Sequence, residues 1–176
     1  HLDSHTPETS YSGAIHGMPL ACLLGRGDKR LLNIGLAGMQ VSAEHTAVLG
    51  ARSYEPEEIA FLQRTGVRII DSVELQQRGF ADCLHEALAI VSAAPAGFGV
   101  TLDLDAIDPL LAPGVGSPEP EGLSARDVLE AVSDIADQPG FRALEIVEYN
   151  PDRDRLGITA SLISDLVGRV LPPDNN

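Results

Sequence analysis

The chain has 176 residues, of which 44% are hydrophobic, enough for a single domain with a sizeable core. Its 26 acidic and 12 basic residues give a formal net charge of −14, which argues against nucleic acid and anionic membranes as partners and favours cationic ligands. Because the two cysteines have no CxxC spacing and no apolar run is long enough to span a membrane, we expect a cytoplasmic protein without a disulfide framework.

The first half of the chain opens with a long polar loop over residues 4–19, in which no hydrophobic period survives. Loops of this length often carry function, and His16 is the candidate here, although a histidine in a loop is commonly just a solvated side chain. After the loop, the sequence predicts a short helix over Met18–Leu24, a strand over Thr46–Gly50, a helix from Pro56 to Gly66 and a strand over Val67–Ile70.

In the second half, helices again alternate with strands. A helix is predicted over Ala81–Ala93, an apolar strand runs into Asp103, and Ser124 is expected to cap a helix with Val128, Val132 and Ile135 on its inner face. A strand over Ala143–Val147 precedes a charged run, Asp152–Arg155, which we expect to be solvated. The last predicted helix, Ile158–Leu171, packs through Ile158, Leu162, Leu166 and Val170. This alternation predicts an α/β fold with a parallel sheet.

The stretch Gly99–Pro109 carries Asp103 and Asp105 two residues apart, so a strand would place both on one face. Ligands of parallel sheets bind outside the carboxyl ends of the strands, where two carboxylates repel each other unless they share a cation. His1 and Asp3 repeat the spacing, and one imidazole with three carboxylates suits manganese, zinc, nickel or cobalt. The alternative is a capped strand end with its aspartates solvated in a turn.

Two further observations concern Glu148, near the carboxyl end of the chain, and His1, its first residue. Glu148 follows the strand over Ala143–Val147 and would face the same edge of the sheet as the aspartates, unless it is an ordinary surface glutamate. His1 already stands inside a candidate motif and is not a methionine, so we expect the chain to be truncated at its amino end.

Five short motifs extend in a consistent order over nearly the whole chain. Together they resemble the ureohydrolase family, which includes arginase and agmatinase. The family patterns are D-A-H-x-D, S-G-x-x-H-G-x-P, S-x-D-V-D-x-x-D-P, A-P-G-x-G-x-P-x-x-G-G-L and E-x-N-P, found here at His1–Asp3, Ser12–Pro19, Thr101–Pro109, Ala112–Leu123 and Glu148–Pro151. Glu121 stands where the first of the paired glycines is usual.

The resemblance implies one ureohydrolase domain over residues 1–176, a carboxyl-terminal portion in which the amino-terminal strands are missing. The implied architecture has three layers, α/β/α, around a mainly parallel sheet. Family members are commonly homotrimers or homohexamers, and Arg126–Asp127 resembles an Arg–acidic pair near the arginase subunit interface.

The resemblance also implies a bridged pair of Mn²⁺ ions as cofactor. Asp103 would bridge both ions, Asp3 would join it on one, and His1 and Asp105 would join it on the other. The ions would lower the pKa of water, so that hydroxide, oriented by Asp3, attacks the guanidinium carbon of the substrate. Asp108 matches a motif position that is not a ligand.

For the substrate, the resemblance implies that Glu148 pairs with a guanidinium and that His16 delivers a proton to the leaving amine, with urea as the other product. The remaining implied substrate contacts are Ser12, Glu55, Ser117 and His5.

Two departures from the family keep alternatives open. Two of the six family metal ligands would lie before His1, so a non-catalytic fragment that acts only in assembly is one alternative. Arginase-type sequences carry asparagine at the positions of His5 and Ala14, whereas Ser12 of that set remains and Glu55 replaces an aspartate. We favour hydrolysis of L-arginine to L-ornithine and urea, with agmatine or another guanidino acid as the alternative substrate.

Overall fold

The computed structural model describes residues 1–34 and 40–171, which form four strands, seven α-helices and three short 3₁₀ turns. The strands are β1 (Ala47–Ala51), β2 (Arg68–Asp71), β3 (Phe98–Asp103) and β4 (Phe141–Val147). The helices are α1 (Pro19–Leu23), α2 (Lys29–Leu32), α3 (Pro56–Thr65), α4 (Ser72–Arg78), α5 (Phe80–Ser92), α6 (Ala125–Ala136) and α7 (Ile158–Val170). The 3₁₀ turns are Ile15–Gly17, Ala43–His45 and Leu104–Ala106. In the part described, no helix is both long and apolar enough to cross a bilayer.

Both strand pairs are parallel, which confirms the predicted α/β class, and the one antiparallel pairing in the described residues is an isolated bridge between Val115 and Tyr149. β1 pairs with β2, and β3 pairs with β4, as two separate two-stranded sheets. The two strands of each pair are connected through a helix, because a tight turn cannot return the chain to the edge of the sheet where a parallel strand must begin. The sequence predicted a parallel sheet but not its division into two pairs.

Helices cover both faces of the β1–β2 pair and form three layers there. Val48 and Ile69 pack against the cluster that contains buried Leu62 of α3. Leu49 and Ile70 point the other way and pack against residues of α4 and α5. This alternation is what a strand buried on both faces requires, since successive side chains leave opposite sides of the sheet.

Helices α6 and α7 cover one face of the β3–β4 pair. Leu102 and Leu144 pack onto the cluster that contains Val132, Leu162 and Leu166. The opposite face carries the exposed residues Thr101 and Glu145, whose side chains are hydrogen-bonded at 2.8 Å. The helix face predicted from Val128, Val132 and Ile135 is buried, as expected.

Local signals explain several element boundaries. Gly66 ends α3 with a φ of 88°, a conformation that glycine adopts without steric cost, and the Ser124 side chain accepts from the Asp127 N–H at the start of α6. Helix α4 was not predicted. It has only seven residues, and at its amino end the Asp71 side chain accepts a hydrogen bond from the Glu74 N–H.

Two predictions near the carboxyl end were wrong. Asp154 is not solvated: it is buried, and its carboxylate accepts hydrogen bonds from the Thr159 and Ala160 N–H groups at the start of α7. Ile158 does not pack into the core but is 41% exposed, whereas Thr159, its neighbour in the first turn of α7, is buried.

Candidate metal and substrate site

The carboxyl ends of β3 and β4 place acidic residues side by side. Asp103, the last residue of β3, pairs in register with Val147, the last residue of β4, and Glu148 follows immediately. Because the strands are parallel, both ends lie at the same edge of the sheet, where ligands of such sheets bind. The predicted neighbourhood of Asp103 and Glu148 therefore follows from strand register.

The amino-terminal segment lies against this edge and contributes His1 and Asp3. Its anchor is Leu2, which is 2% exposed in the hydrophobic core. The Asp3 carbonyl accepts from the Leu20 N–H at 2.9 Å, and the His5 N–H donates to the Gly17 carbonyl at 3.0 Å. With Leu2 buried in the core, the side chains of His1 and Asp3 line the cleft.

One imidazole and two carboxylates converge at the centre. His1, Asp103 and Asp105 each offer a donor atom within 4.8 Å of the others, and His1 Nδ1 lies 3.0 Å from an Asp105 oxygen. The expectation that Asp103 and Asp105 share a strand face was wrong. The strand ends at Asp103, and Asp105 lies in the turn Leu104–Ala106, where its N–H donates to the Asp103 carboxylate at 3.1 Å.

Burial, repulsion and a hydrogen bond shift the pKa values of Asp103, Asp3 and His1. Desolvation, followed by repulsion from Asp105, raises the pKa of Asp103 to about 8, and desolvation raises the pKa of Asp3 to about 6. The hydrogen bond to Asp105 raises the pKa of His1 to about 9. Two carboxylates that repel each other beside an imidazole, one buried (Asp105) and one partly buried (Asp103), fit a divalent cation, which would relieve the repulsion and accept both donor types.

Asp3 is set apart from this trio. Of the two groups of described residues whose donor atoms lie within 4.8 Å of one another, one comprises His1, Asp103 and Asp105 and the other His5, Glu55 and Glu58. Asp3 belongs to neither group but lines the same cleft. Asp3 has a φ of 47° and Glu148 a φ of 65°, a conformation that costs free energy in residues with a Cβ. Both residues line the cleft despite that cost.

His16 and Glu148 face each other across the mouth of the cleft. His16 lies in the turn Ile15–Gly17, its side chain is 62% exposed, and its Nδ1 is 3.8 Å from a Glu148 oxygen. The Glu148 side chain is 27% exposed. An exposed imidazole beside a half-buried carboxylate can exchange protons with solvent while remaining next to a bound ligand.

A second cluster, His5, Glu55 and Glu58, also lines the cleft. His5 Nε2 lies 3.0 Å from a Glu55 oxygen and 3.5 Å from a Glu58 oxygen, and its Nδ1 is 3.1 Å from the Thr9 hydroxyl. Glu58, which is 3% exposed, also accepts from the Ser4 N–H and the Glu55 N–H. The Glu58 and His5 side chains lower the pKa of Glu55, while burial raises that of Glu58.

All sequence-predicted site residues line one cleft of about 190 Å³. They are His1, Asp3, His5, Ser12, His16, Glu55, Asp103, Asp105, Ser117 and Glu148. Ser12 is exposed in the polar loop, where its hydroxyl accepts from the Ala14 N–H at 3.1 Å. The roles assigned to these residues stay predictions, but the cleft holds them all.

Sequence reasoning missed other residues of this cleft. Glu58, Ser10 and Tyr11 line it as well. Glu58 had a local signal, because it is the third residue of a helix that Glu55 caps, and such a glutamate reaches back to the cap. The contact between Glu58 and His5 had no local signal, since those two residues are far apart in sequence.

The fold and the site together define a parallel α/β protein with an acidic, histidine-bearing cleft at the carboxyl ends of its strands. The model of the Arginase family matches residues 1–171, and the chain belongs to this family.

Individual relatives agree with that membership. The arginase of Brevibacillus brevis is 40% identical over 170 residues, covering 97% of this chain and 57% of the relative. A crystal structure of Bacillus subtilis arginase superposes with a TM-score of 0.92 at 35% identity, covering 100% of this chain and 60% of that one. The structure of Entamoeba histolytica arginase in complex with L-ornithine superposes with a TM-score of 0.87 at 29% identity, covering 97% of this chain and 57% of that one. The chain thus spans somewhat more than half the length of these relatives.

Proposed function

We propose that the protein hydrolyses a guanidino compound with the help of two Mn²⁺ ions, and that its substrate is L-arginine, giving L-ornithine and urea. The observation that carries the proposal is the convergence of His1, Asp103 and Asp105 within 4.8 Å in the cleft that also holds His16 and Glu148. Membership in the Arginase family supports it, as does the relative whose structure contains L-ornithine.

In this proposal, His1, Asp103 and Asp105 would hold one ion, and Asp3 together with Asp103 would hold the other. When bound, the ions supply a nucleophile from water near neutral pH by lowering the pKa of water. The role of Asp3 is to orient the attacking water through its carboxylate.

Glu148 and His16 would act on the substrate itself. A carboxylate accepts two parallel N–H bonds from a guanidinium, so Glu148 would hold the group in place at the strand edge. His16 lies 3.8 Å from Glu148 and would donate its proton to the leaving amine nitrogen as the carbon–nitrogen bond breaks. Water supplies the oxygen of urea, and the exposed imidazole regains its proton from solvent.

The experiment pairs two aspartates of one motif in the full-length protein. Asp103→Asn should lose bound Mn²⁺ and urea release together, because the substitution removes a negative ligand shared by both ions. Asp108→Asn is the matched control: Asp108 accepts only from the Leu110 N–H among its side-chain bonds in the described structure, so metal and activity should persist. Retained metal in Asp103→Asn would contradict the proposal, and a wild-type protein without metal would favour the non-catalytic alternative.

Substrate choice needs its own measurement. His5 Nε2 lies within hydrogen-bond distance, 3.0 Å, of the Glu55 carboxylate. Glu55 is also the acceptor proposed for the α-amine of arginine. Two lost amide contacts to the α-carboxylate, each worth about 0.5–1.5 kcal/mol, should narrow the preference for arginine over agmatine without reversing it. The assay compares kcat/KM for arginine, agmatine and 4-guanidinobutyrate. If kcat/KM for agmatine or 4-guanidinobutyrate exceeds that for arginine by more than about tenfold, or 1.4 kcal/mol, the proposal that arginine is the substrate is wrong.

We propose further that the protein is a cytoplasmic homotrimer or homohexamer, on the strength of its family. Arg126 is exposed and bonds Glu130 at 2.8 Å within its own helix, which leaves the neighbouring Asp127 side chain available to a second subunit. Sedimentation of the metal-loaded, full-length protein tests the assembly, and a monomer would contradict it.

A further inference from the structure

The guanidinium of Arg52 joins two separate segments beside the cleft. Arg52 directly follows β1, and its Nη1 and Nη2 donate to the carbonyls of Ala106 and Asp105, both at 2.8 Å. The same group donates to the carbonyls of Glu119 at 2.9 Å and Pro120 at 3.1 Å. Four backbone acceptors thus converge on one side chain.

One of these segments is the turn Leu104–Ala106, which carries Asp105. The other pairs with the residues after this turn in a parallel bridge between Ile107 and Leu123: the Leu123 N–H donates to the Ala106 carbonyl at 2.9 Å, and the Asp108 N–H donates to the Leu123 carbonyl at 3.0 Å. The position of the Asp105 carboxylate therefore depends on two segments that Arg52 holds at a fixed separation.

The chemistry of the contact requires arginine. A guanidinium presents five N–H donors in a rigid plane, whereas a lysine ammonium is a point charge that cannot reach four dispersed carbonyls in that plane. Ion pairing does not explain the residue, because the salt bridges of the described residues do not include Arg52.

We propose that Arg52 is a positioning residue that sets the geometry of the proposed metal ligands by holding the backbone of Asp105. The assignment rests on the proposed function, since it concerns the same metal site. Residues that orient metal ligands without touching the ion typically change metal affinity by about 10–100-fold when replaced.

The test measures Mn²⁺ affinity by titration of the full-length protein, with Arg52→Lys and Arg52→Gln as the variants. Arg153→Lys is the matched control, because Arg153 donates to the carbonyls of Gly116 at 2.9 Å and Val115 at 3.4 Å, away from Asp105. Both Arg52 variants should weaken Mn²⁺ binding by about 10–100-fold, and Arg153→Lys should leave it unchanged.

The thermal midpoint of the metal-free protein separates positioning from general stability. Arg52→Lys should remain folded while its Mn²⁺ affinity falls. Wild-type affinity in a folded Arg52→Lys, equal weakening in Arg153→Lys, or failure of both Arg52 variants to fold would each overturn the assignment. If the wild-type protein binds no Mn²⁺, the proposed function fails first and the assignment falls with it.

Discussion

Replacement of Glu121 by glycine should stabilise the protein. Glu121 has a φ of 59°, in the left-handed region where a residue with a Cβ costs roughly 1–2 kcal/mol. Glycine removes that cost but adds about 0.4–1 kcal/mol of chain entropy in the unfolded state. The net gain is about 0.5–1 kcal/mol, which for a chain of this size raises the thermal midpoint by about 1–4 °C.

The neighbouring glycine should behave in the opposite way. A Cβ on Gly122 would lie 2.3 Å from the Asp108 nitrogen and 2.4 Å from the Ile107 carbonyl carbon, both backbone atoms that cannot rotate away. Gly122→Ala should therefore cost about 1–3 kcal/mol or more and lower the midpoint by several degrees, because the backbone after Asp105 must move.

Calorimetry of the full-length protein measures these midpoints, with Glu119→Gly as the control. Glu119 stands in the same loop, and its φ is not among the positive values of non-glycine residues, so glycine there brings only the entropic cost of about 0.5–1 kcal/mol. If Glu121→Gly lowers the midpoint as Glu119→Gly does, the left-handed conformation at Glu121 is refuted.

Two further predictions concern catalysis and acid stability. His16→Ala should keep its Mn²⁺ while kcat falls roughly 10²–10⁴-fold, the usual effect of losing a positioned proton donor, and an unchanged kcat would make His16 an ordinary loop residue. Burial tends to raise the pKa of Asp154, but hydrogen bonds from the Ala160 and Thr159 N–H groups outweigh it and lower the pKa. A lowered folded-state pKa stabilises the protein above the unfolded value of about 3.9 and loses that effect as the pH falls through the folded value. Asp154→Asn should thus lower the thermal midpoint at pH 7 and make the midpoint fall less steeply as the pH drops below about 4. If the midpoints of the variant and the wild-type protein fall equally steeply with pH, the role of Asp154 as a cap is contradicted.

Much of the site was predictable because its signals are local in sequence. Alternation of helices and strands is read from windows of about ten residues, and the caps at Gly66 and Ser124 depend on neighbours within one turn. The motifs around His16, Asp103 and Glu148 identified residues that line one cleft, since parallel strands bring their carboxyl ends to one edge.

Tertiary structure decided how those residues meet. The turn that carries Asp105 is held by Arg52, more than 50 positions away in the chain, and His5 meets Glu55 at a separation of 50. Asp154 was predicted as a solvated charge because its own neighbours are charged, yet the packing of α7 buries it as a cap. Contacts between distant segments depend on how elements pack, and no local pattern encodes that packing. The sequence by itself therefore determined the fold class and most residues of the cleft. Only the folded chain added Glu58, Ser10 and Tyr11 and decided which residues become partners.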